Sequence, residues 1–474
     1  MKKLRIFLVS IGFRPPVSSI LSPPLGIMHL AAYLRSRFDA DIRLINQKER
    51  NISADEIVFR MKEFNADVVG ISVITPSSYL LPYISHQIRK VLPGSLIVAG
   101  GPHVSAFGAA VLQNTALDAA VPGEGEIVFE RIIQNYFDGS GLENVPGIFR
   151  RDGDMIIANS GEVPLIEDLD SLPVPAYDLI DLPFYWKETR FFLNSGSRYA
   201  SLFSSRGCPY KCFYCHRIFG KQFRYQSAER IVSEIKYLKK KYNINDIEFL
   251  DDVFNLYRPR MIDFCEKLPR QVPGIKIALP NGVRTDILKF EDIDALAEAG
   301  LYYCSFALES GSPRIQKLIG KELDISKFKK NVDYAAKKRI FTNGFTMLGF
   351  PSETGSDIQM TIDAACNSLL HLCSFFTATP FANTVMYEMA KSRCPERLAR
   401  LRYDNMEYGD VFINLSDVPD EELFRYQREA WRRFYLKPSR IMRIIRDYPN
   451  PLMIPFYVPI LLKRLTRGLF RKSF

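Results

Sequence analysis

The chain has 474 residues, 47% hydrophobic and 24% charged, with a net charge of +10. Its length exceeds one ordinary core and its composition is that of a globular protein, so two domains with accessories are expected. Eight cysteines, three of them clustered between positions 208 and 215, do not make a secreted disulfide scaffold and suit a reduced, intracellular compartment. No run reaches the roughly 18 unbroken apolar residues of a membrane span.

The opening "LRIFLVSIG" reads as a first strand, since its apolar run lacks a small-residue cleavage site. Further apolar runs at 41–46, 67–75, 95–103 and 118–126 read as strands. Between them, "LGIMHLAAYLRSRF" and "ADEIVFRMKEF" carry apolar residues at helical spacing. This alternation predicts an α/β domain over 1–145, a doubly wound parallel sheet whose ligands bind beyond the carboxyl ends of the strands. The loops there hold small residues: "SPPLG", "TPSS", "AGGPHVSA" and "PGEGE". Gly100 and Gly101 allow close approach of a large flat ligand, although ordinary strand-to-helix turns read the same way. His103 is open between a turn cap and a ligand contact. No G-x-G-x-x-G follows the first strand, which argues against a dinucleotide. A Pro-rich stretch with "LDSLPVPAYDL" marks 146–196 as an ordered connector.

Next comes "SSRGCPYKCFYCH". Three thiolates spaced C-x-x-x-C-x-x-C suit three corners of a cubane iron–sulfur cluster, whereas structural zinc wants four closed ligands. His216 directly follows Cys215 and would strain to reach the same metal. Three ligands leave one iron open for substrate chemistry. Downstream, "AERIVSEIKYLKKKY" is an amphipathic helix, and strands are predicted at 246–252, 276–286, 302–311 and 341–351. Such strand–helix units predict a partial parallel β/α barrel over 197–400 with its chemistry at the strand ends. The other five cysteines, Cys265, Cys304, Cys366, Cys373 and Cys394, read as small buried hydrophobes.

The cysteine segment resembles the signature of the radical S-adenosylmethionine (SAM) enzymes, in which SAM's amino and carboxylate groups fill the open iron. The resemblance implies that Cys208, Cys212 and Cys215 hold a 4Fe-4S cluster and that Tyr214 lies beside the adenine. It implies SAM contacts for Asp251 and Asp252 at the amino group, Arg284 at the carboxylate and Glu309 of "ALESG" at the ribose. Salt-bridged loop residues are the structural alternative for each. "LGFPSETGSD" and "FFTATPFANT" resemble the subgroup with an N-terminal cobalamin-binding domain. That subgroup often shows "TPFPGT", so Ala382 and Asn383 depart from it and put the local loop in question.

The same resemblance implies cobalamin at the first domain, with Gly26, Ser72, Thr75, Gly100, Gly101 and His103 on the corrin side. The D-x-H-x-x-G motif that supplies an imidazole to cobalt is absent, so no histidine from that motif is expected below the metal. A relic domain that binds nothing is the alternative. The implied activity is reductive SAM cleavage followed by radical chemistry at an unactivated carbon of a hydrophobic, lipid- or tetrapyrrole-like substrate, with methyl transfer favoured. Non-methylating cyclisation or rearrangement, and a non-catalytic cobalamin- or redox-sensing protein, are the alternatives. A flavodoxin- or ferredoxin-like electron donor is an implied partner; nucleic acid is not expected.

Residues 401–474 are expected to be helical, basic and apolar. From Trp431 to Phe474 there are eleven Lys or Arg and one acid, Asp447, so this tail carries +10. The preceding 430 residues then hold 63 − 11 = 52 bases and 53 − 1 = 52 acids, a neutral balance. "PLMIPFYVPILL" is short and broken by proline, and basic residues flank it as in interfacial membrane segments. A tail packed on the barrel is the alternative. The expected location is cytoplasmic, with attachment to the inner membrane face.

Overall fold

The structure is a computed structural model and describes residues 3–14, 21–188, 198–216, 218–401, 413–451 and 454–455. Two compact units are present, one built on the N-terminal sheet with 218–225, the other on 198–216 and the chain from Gln226 onward. This is the α/β pairing of a doubly wound sheet and a partial barrel expected from the sequence.

In the first unit, β1 (Leu4–Ser10), β2 (Ala40–Asn46), β3 (Val68–Ser72), β4 (Leu96–Gly100) and β5 (Ala119–Val121) run parallel in the order β2-β1-β3-β4-β5. Successive side chains of a strand go to opposite faces, and both faces are apolar. Phe7, Val9, Val69 and Ile71 pack with Ile57, Met61, Ile84 and Ile88 on one side. Ile6, Leu8, Val68 and Val98 pack with Ile27, Ala31, Phe129 and Ile132 on the other. The expected strands are all present; β2 ends at Asn46 as expected, and β1, β3, β4 and β5 end earlier. Gly101 leads into a short helix, Pro102–Phe107, and Gly125 into Glu126–Phe137.

The stretch expected as a connector does more than connect. An antiparallel hairpin, β6 (Phe149–Asp152) and β7 (Met155–Ala158), extends the sheet beside β5. Val145 and Ile148 enter its core.

The second unit holds six parallel strands in chain order: β8 (Tyr199–Leu202), β9 (Asp246–Phe249), β10 (Lys276–Val283), β11 (Leu301–Glu309), β12 (Phe341–Leu348) and β13 (Leu372–Thr377). The first helix between them covers Ala228–Tyr242, capped by the Ser227 side chain and closed by Asn243 in the left-handed region. The sheet ends at β13, whose edge is sealed by the helix Asp420–Tyr435: the Tyr435 hydroxyl accepts from Cys373 N at 3.0 Å and donates to Cys373 O at 2.9 Å. Pairing this exposed edge removes a template for aggregation.

A second C-terminal helix, Pro438–Asp447, is anchored by Arg440, fully buried, whose guanidinium donates to the carbonyls of Leu370, Phe434, Cys366 and Ser368. Among the described residues no helix is long and apolar enough to cross a membrane. Most of "PLMIPFYVPILL" and all of 456–474 lie outside the described residues.

Candidate active site

The three cysteines stand on the loop that leaves β8, and the structure shows what shapes it. Asp251, at the end of β9, is buried and accepts from Ser204 N at 2.7 Å, Ser204 Oγ at 2.6 Å and Ser205 Oγ at 2.7 Å. Behind it, buried Arg260 stands 3.8 Å from the Asp251 carboxylate and donates to the Ser204 carbonyl and hydroxyl. Asp252 accepts from the Gly207 backbone N–H. The two aspartates therefore clasp the residues leading into Cys208. Asp251, expected at the SAM amino group, has both oxygens committed to this clasp. Asp252 is exposed; burial of its surroundings first and Asp251 second raise its carboxyl to about 6. It is the acid of the pair that is left open.

The far side of the loop is pinned too. Phe213 N donates to Ile319 O at 3.1 Å and Met386 N to Phe213 O at 3.1 Å. Gly320, at φ 65, comes so close that a Cβ would sit 3.1 Å from Lys211 O. Between these clamps Cys215 N donates to Cys212 O in a tight turn.

All three cysteines are free thiols. Desolvation raises each of them, and at Cys215 the nearby Cys212 and Cys208 add to it, pushing that thiol up to about 12. Cys215 is nonetheless open to solvent. Three thiols that resist ionisation together need a cationic centre to hold them as thiolates. Among the described residues no three His, Cys, Asp or Glu side chains are grouped to share one ion. Three thiols on one loop, one short of the four closed ligands of structural zinc, suit a cluster in which each thiolate binds its own iron. The residues fit the group.

Around this loop the structure gathers most of the expected SAM residues. Tyr214 packs against Phe350, with ring centroids 5.6 Å apart, and hydrogen-bonds Glu309; burial first and that carboxylate second push its hydroxyl well up. Glu309 sits at a bulge between β11 and β12 with φ 62, a strained backbone that marks functional sites. Its carboxylate is 3.1 Å from Lys321 Nζ. Arg284 lies in the same neighbourhood, 3.9 Å above the Tyr210 ring. Its fork, however, is spent on Asp286 at 2.9 and 3.1 Å and on Lys321 O at 2.7 Å. The expected carboxylate pairing would require Arg284 to leave Asp286. His216, set aside as a ligand, stacks on Phe381 at 4.8 Å. Asn383, in the departing "TPFANT", adopts φ 64, so it keeps the left-handed backbone that glycine would provide there.

Sequence reasoning passed over two residues here. Lys321, twelve positions beyond Glu309, carries no motif of its own. Glu353 of "LGFPSETG" is fully buried and accepts from Gly349 N at 2.6 Å and Phe350 N at 3.1 Å, holding the turn that presents Phe350 to Tyr214. Burial pushes its carboxyl up to about 8. A glutamate just after the glycine and proline of a tight turn was the available signal.

In the first unit, Ser72, Thr75, Gly100, Gly101 and His103 come together at the carboxyl ends of β3 and β4, and Gly26 opens the helix Leu25–Arg37 that follows the β1 loop. Gly101 has φ 94, and a Cβ there would stand 3.0 Å from Val73 O and 3.1 Å from Ser72 Oγ. At Gly26 a Cβ would meet nothing within 4 Å. His103 Nδ1 lies 3.4 Å from Thr75 Oγ1 and the ring rests 4.5 Å from Phe107. Burial lowers this imidazole to about 4, so it is neutral at pH 7. Strand ends this free of bulk fit a flat corrin.

The family comparisons meet this geometry. Residues 202–365 match the radical SAM superfamily and residues 20–133 match the B12 binding domain. A cytidylyl-2-hydroxyethylphosphonate methyltransferase of Streptomyces wedmorensis is 30% identical over 70% of this chain and 68% of its own. The chain belongs to the radical SAM superfamily. It is a radical SAM enzyme of the kind that carries a B12 binding domain, and the cofactors of that family come with membership: a 4Fe-4S cluster, SAM and cobalamin. An uncharacterized methyltransferase of Pyrococcus horikoshii is similar from end to end, 28% identical over 99% of both chains. In fold the chain is similar to the radical SAM methyltransferase TsrM of Kitasatospora setae, solved with cobalamin and a [4Fe-4S] cluster, with a TM-score of 0.68 at 16% identity over 83% of this chain and 78% of that one.

Proposed function

We propose that this radical SAM enzyme transfers a methyl group to an unactivated carbon of a hydrophobic substrate. The observation that carries the substrate class is the partly covered face of β11–β13. On these strands Phe306, Leu308, Thr346, Leu348, Cys373 and Phe375 are fully buried, while the intervening Ala307, Phe345, Met347, Ser374 and Phe376 are half-buried, with Ser374 opposite Phe345. Phe345 and Phe376 meet at 6.0 Å, and Gly282 leaves room beside Phe345. A largely apolar surface reachable by solvent inside a sheet, with Ser374 as its polar exception and Glu309 next to it, is what a hydrophobic ligand would cover.

When bound, a reduced cluster on Cys208, Cys212 and Cys215 supplies the electron that splits SAM into methionine and a 5′-deoxyadenosyl radical, and cobalamin supplies a methyl carrier. The protein's own part is positioning. The Asp251–Arg260–Ser204 clasp fixes the cysteine loop, Tyr214 and Glu309 flank the place of the nucleoside, and Phe345, Met347 and Phe376 exclude water from the reacting carbon. Mass spectrometry of lipid extracts from cells with and without the gene, followed by anaerobic assay with methyl-labelled SAM and a low-potential flavodoxin or ferredoxin, tests the reading. The expected product is heavier by one labelled methyl. A product altered without label would replace methyl transfer by cyclisation or rearrangement, and retained cobalamin without SAM cleavage would leave a sensing protein.

We further propose that this substrate lies at a membrane surface. On the helix Pro438–Asp447, Arg440 and Asp447 turn inward, while Ile441, Met442 and Ile445 are 42%, 72% and 53% exposed, with Leu436 beside them at 58%. Lys437, Arg432 and Arg433 are exposed nearby. Apolar side chains ringed by bases suit an anionic lipid surface. Full-length protein should sediment with anionic vesicles more than with neutral ones, and Met442→Asp with Ile445→Asp should cut that several-fold. Unchanged sedimentation of the double variant would return this helix to a solvent-facing role.

A further inference from the structure

The strand order β2-β1-β3-β4-β5 reverses between β1 and β3, and in an open parallel sheet that reversal opens a crevice above the carboxyl ends of the two strands. Three residues outside the expected cobalamin set meet there. Gly12 follows β1 at φ 143, Ser77 follows β3, and Lys48 follows β2. A Cβ on Gly12 would stand 2.3 Å from Ser77 Oγ and 2.7 Å from Lys48 Cε. Both side chains therefore reach the space over Gly12, and glycine is what lets the lysine stem pass. Neighbouring hydrogen bonds hold the arrangement. Buried Gln47 accepts from Gly12 N at 2.7 Å and donates to Ile52 O at 3.0 Å, and Asn46 Oδ1 accepts from Lys48 N at 3.3 Å.

Lys48 itself is half-buried, and among the described residues its ammonium has neither an ion-pair partner nor a hydrogen bond, in contrast to Arg14 nearby, which is paired with Glu188. Its amine is lowered by desolvation, with no nearby acid to offset it. A cation held partly out of water without an anion is costly, and an incoming anion removes that cost. Cobalamin has amide side arms that carry no charge; its anionic side group is the phosphodiester of the nucleotide tail.

We propose that Lys48, which reaches the β1/β3 crevice with Ser77, binds the phosphodiester of cobalamin's nucleotide tail. This rests on the B12 assignment of residues 20–133 and adds to it a residue that selects for the complete cofactor. A charge-assisted contact of this kind distinguishes ligands that carry the phosphate from those that lack it.

Equilibrium dialysis of the full chain with hydroxocobalamin and with dicyanocobinamide, a corrin without the nucleotide tail, tests it. Lys48→Met should weaken hydroxocobalamin about 10-fold or more and leave the cobinamide constant within about two-fold. Lys48→Arg should restore most of the hydroxocobalamin affinity. Retained cobinamide binding also reports that the variant has folded. Equal losses for both corrins, or no loss for either, would overturn the role of Lys48 while leaving the B12 site standing. Wild-type protein that retains neither corrin would overturn the B12 site, and this proposal with it.

Discussion

Replacing Cys212 by alanine is expected to abolish 5′-deoxyadenosine formation, a loss of at least three orders of magnitude, close to the limit of detection. The three thiols have no spare on the loop: Cys265, Cys304, Cys366 and Cys373 are buried, and Cys394 packs against the hydrophobic cluster that holds Phe213. Two thiolates would leave a second iron without a protein ligand, and the cluster would be lost or misplaced. Iron content and SAM cleavage after anaerobic reconstitution are the measurements. A Cys212→Ala protein with full iron and wild-type cleavage would remove the basis for the active site. Cys366→Ala, at the end of the helix Gly355–Cys366 and outside the loop, serves as the control and should keep wild-type iron content and SAM cleavage.

Asp251→Ala should be the most damaging single change that touches no thiol. It removes three hydrogen bonds to Ser204 and Ser205 and leaves Arg260 buried without its carboxylate. Breaking a buried charged pair from one side costs about 3–5 kcal/mol, which denaturant unfolding would register as a lower midpoint. Iron content should fall with it, because Ser204 and Ser205 set the start of the cysteine loop. Asp252→Ala removes one backbone hydrogen bond from an exposed side chain and should cost much less stability. Equal midpoints for the two variants, or an Asp251→Ala protein with full iron, would show that the clasp does not shape the loop.

What the sequence determined by itself is what depends on local pattern. The alternation of apolar runs and helical spacing specified both parallel sheets, because buried strands and amphipathic helices each leave a period that neighbours cannot disguise. The three-cysteine spacing specified a cluster with an open iron, because ligand number and separation are written within eight consecutive residues, Cys208 to Cys215. The hairpin β6–β7 escaped notice because Pro and short polar runs around it read as a connector, and only pairing with β5 gives those few residues a strand's company. The division of labour between Asp251 and Asp252 was equally invisible. They are adjacent in sequence, and the alternation of side chains at a strand end sends one into the Ser204–Arg260 network and leaves the other exposed. Arg284 looked free for a carboxylate until the turn after β10 brought Asp286 against it. Lys48 and Lys321 carry no motif at all, and their meaning comes from what lies across the fold: Glu309 for one, Gly12 and Ser77 for the other. Such pairings belong to the tertiary structure because a charged side chain's energy is set by the groups that surround it in space, and those are distant in the chain.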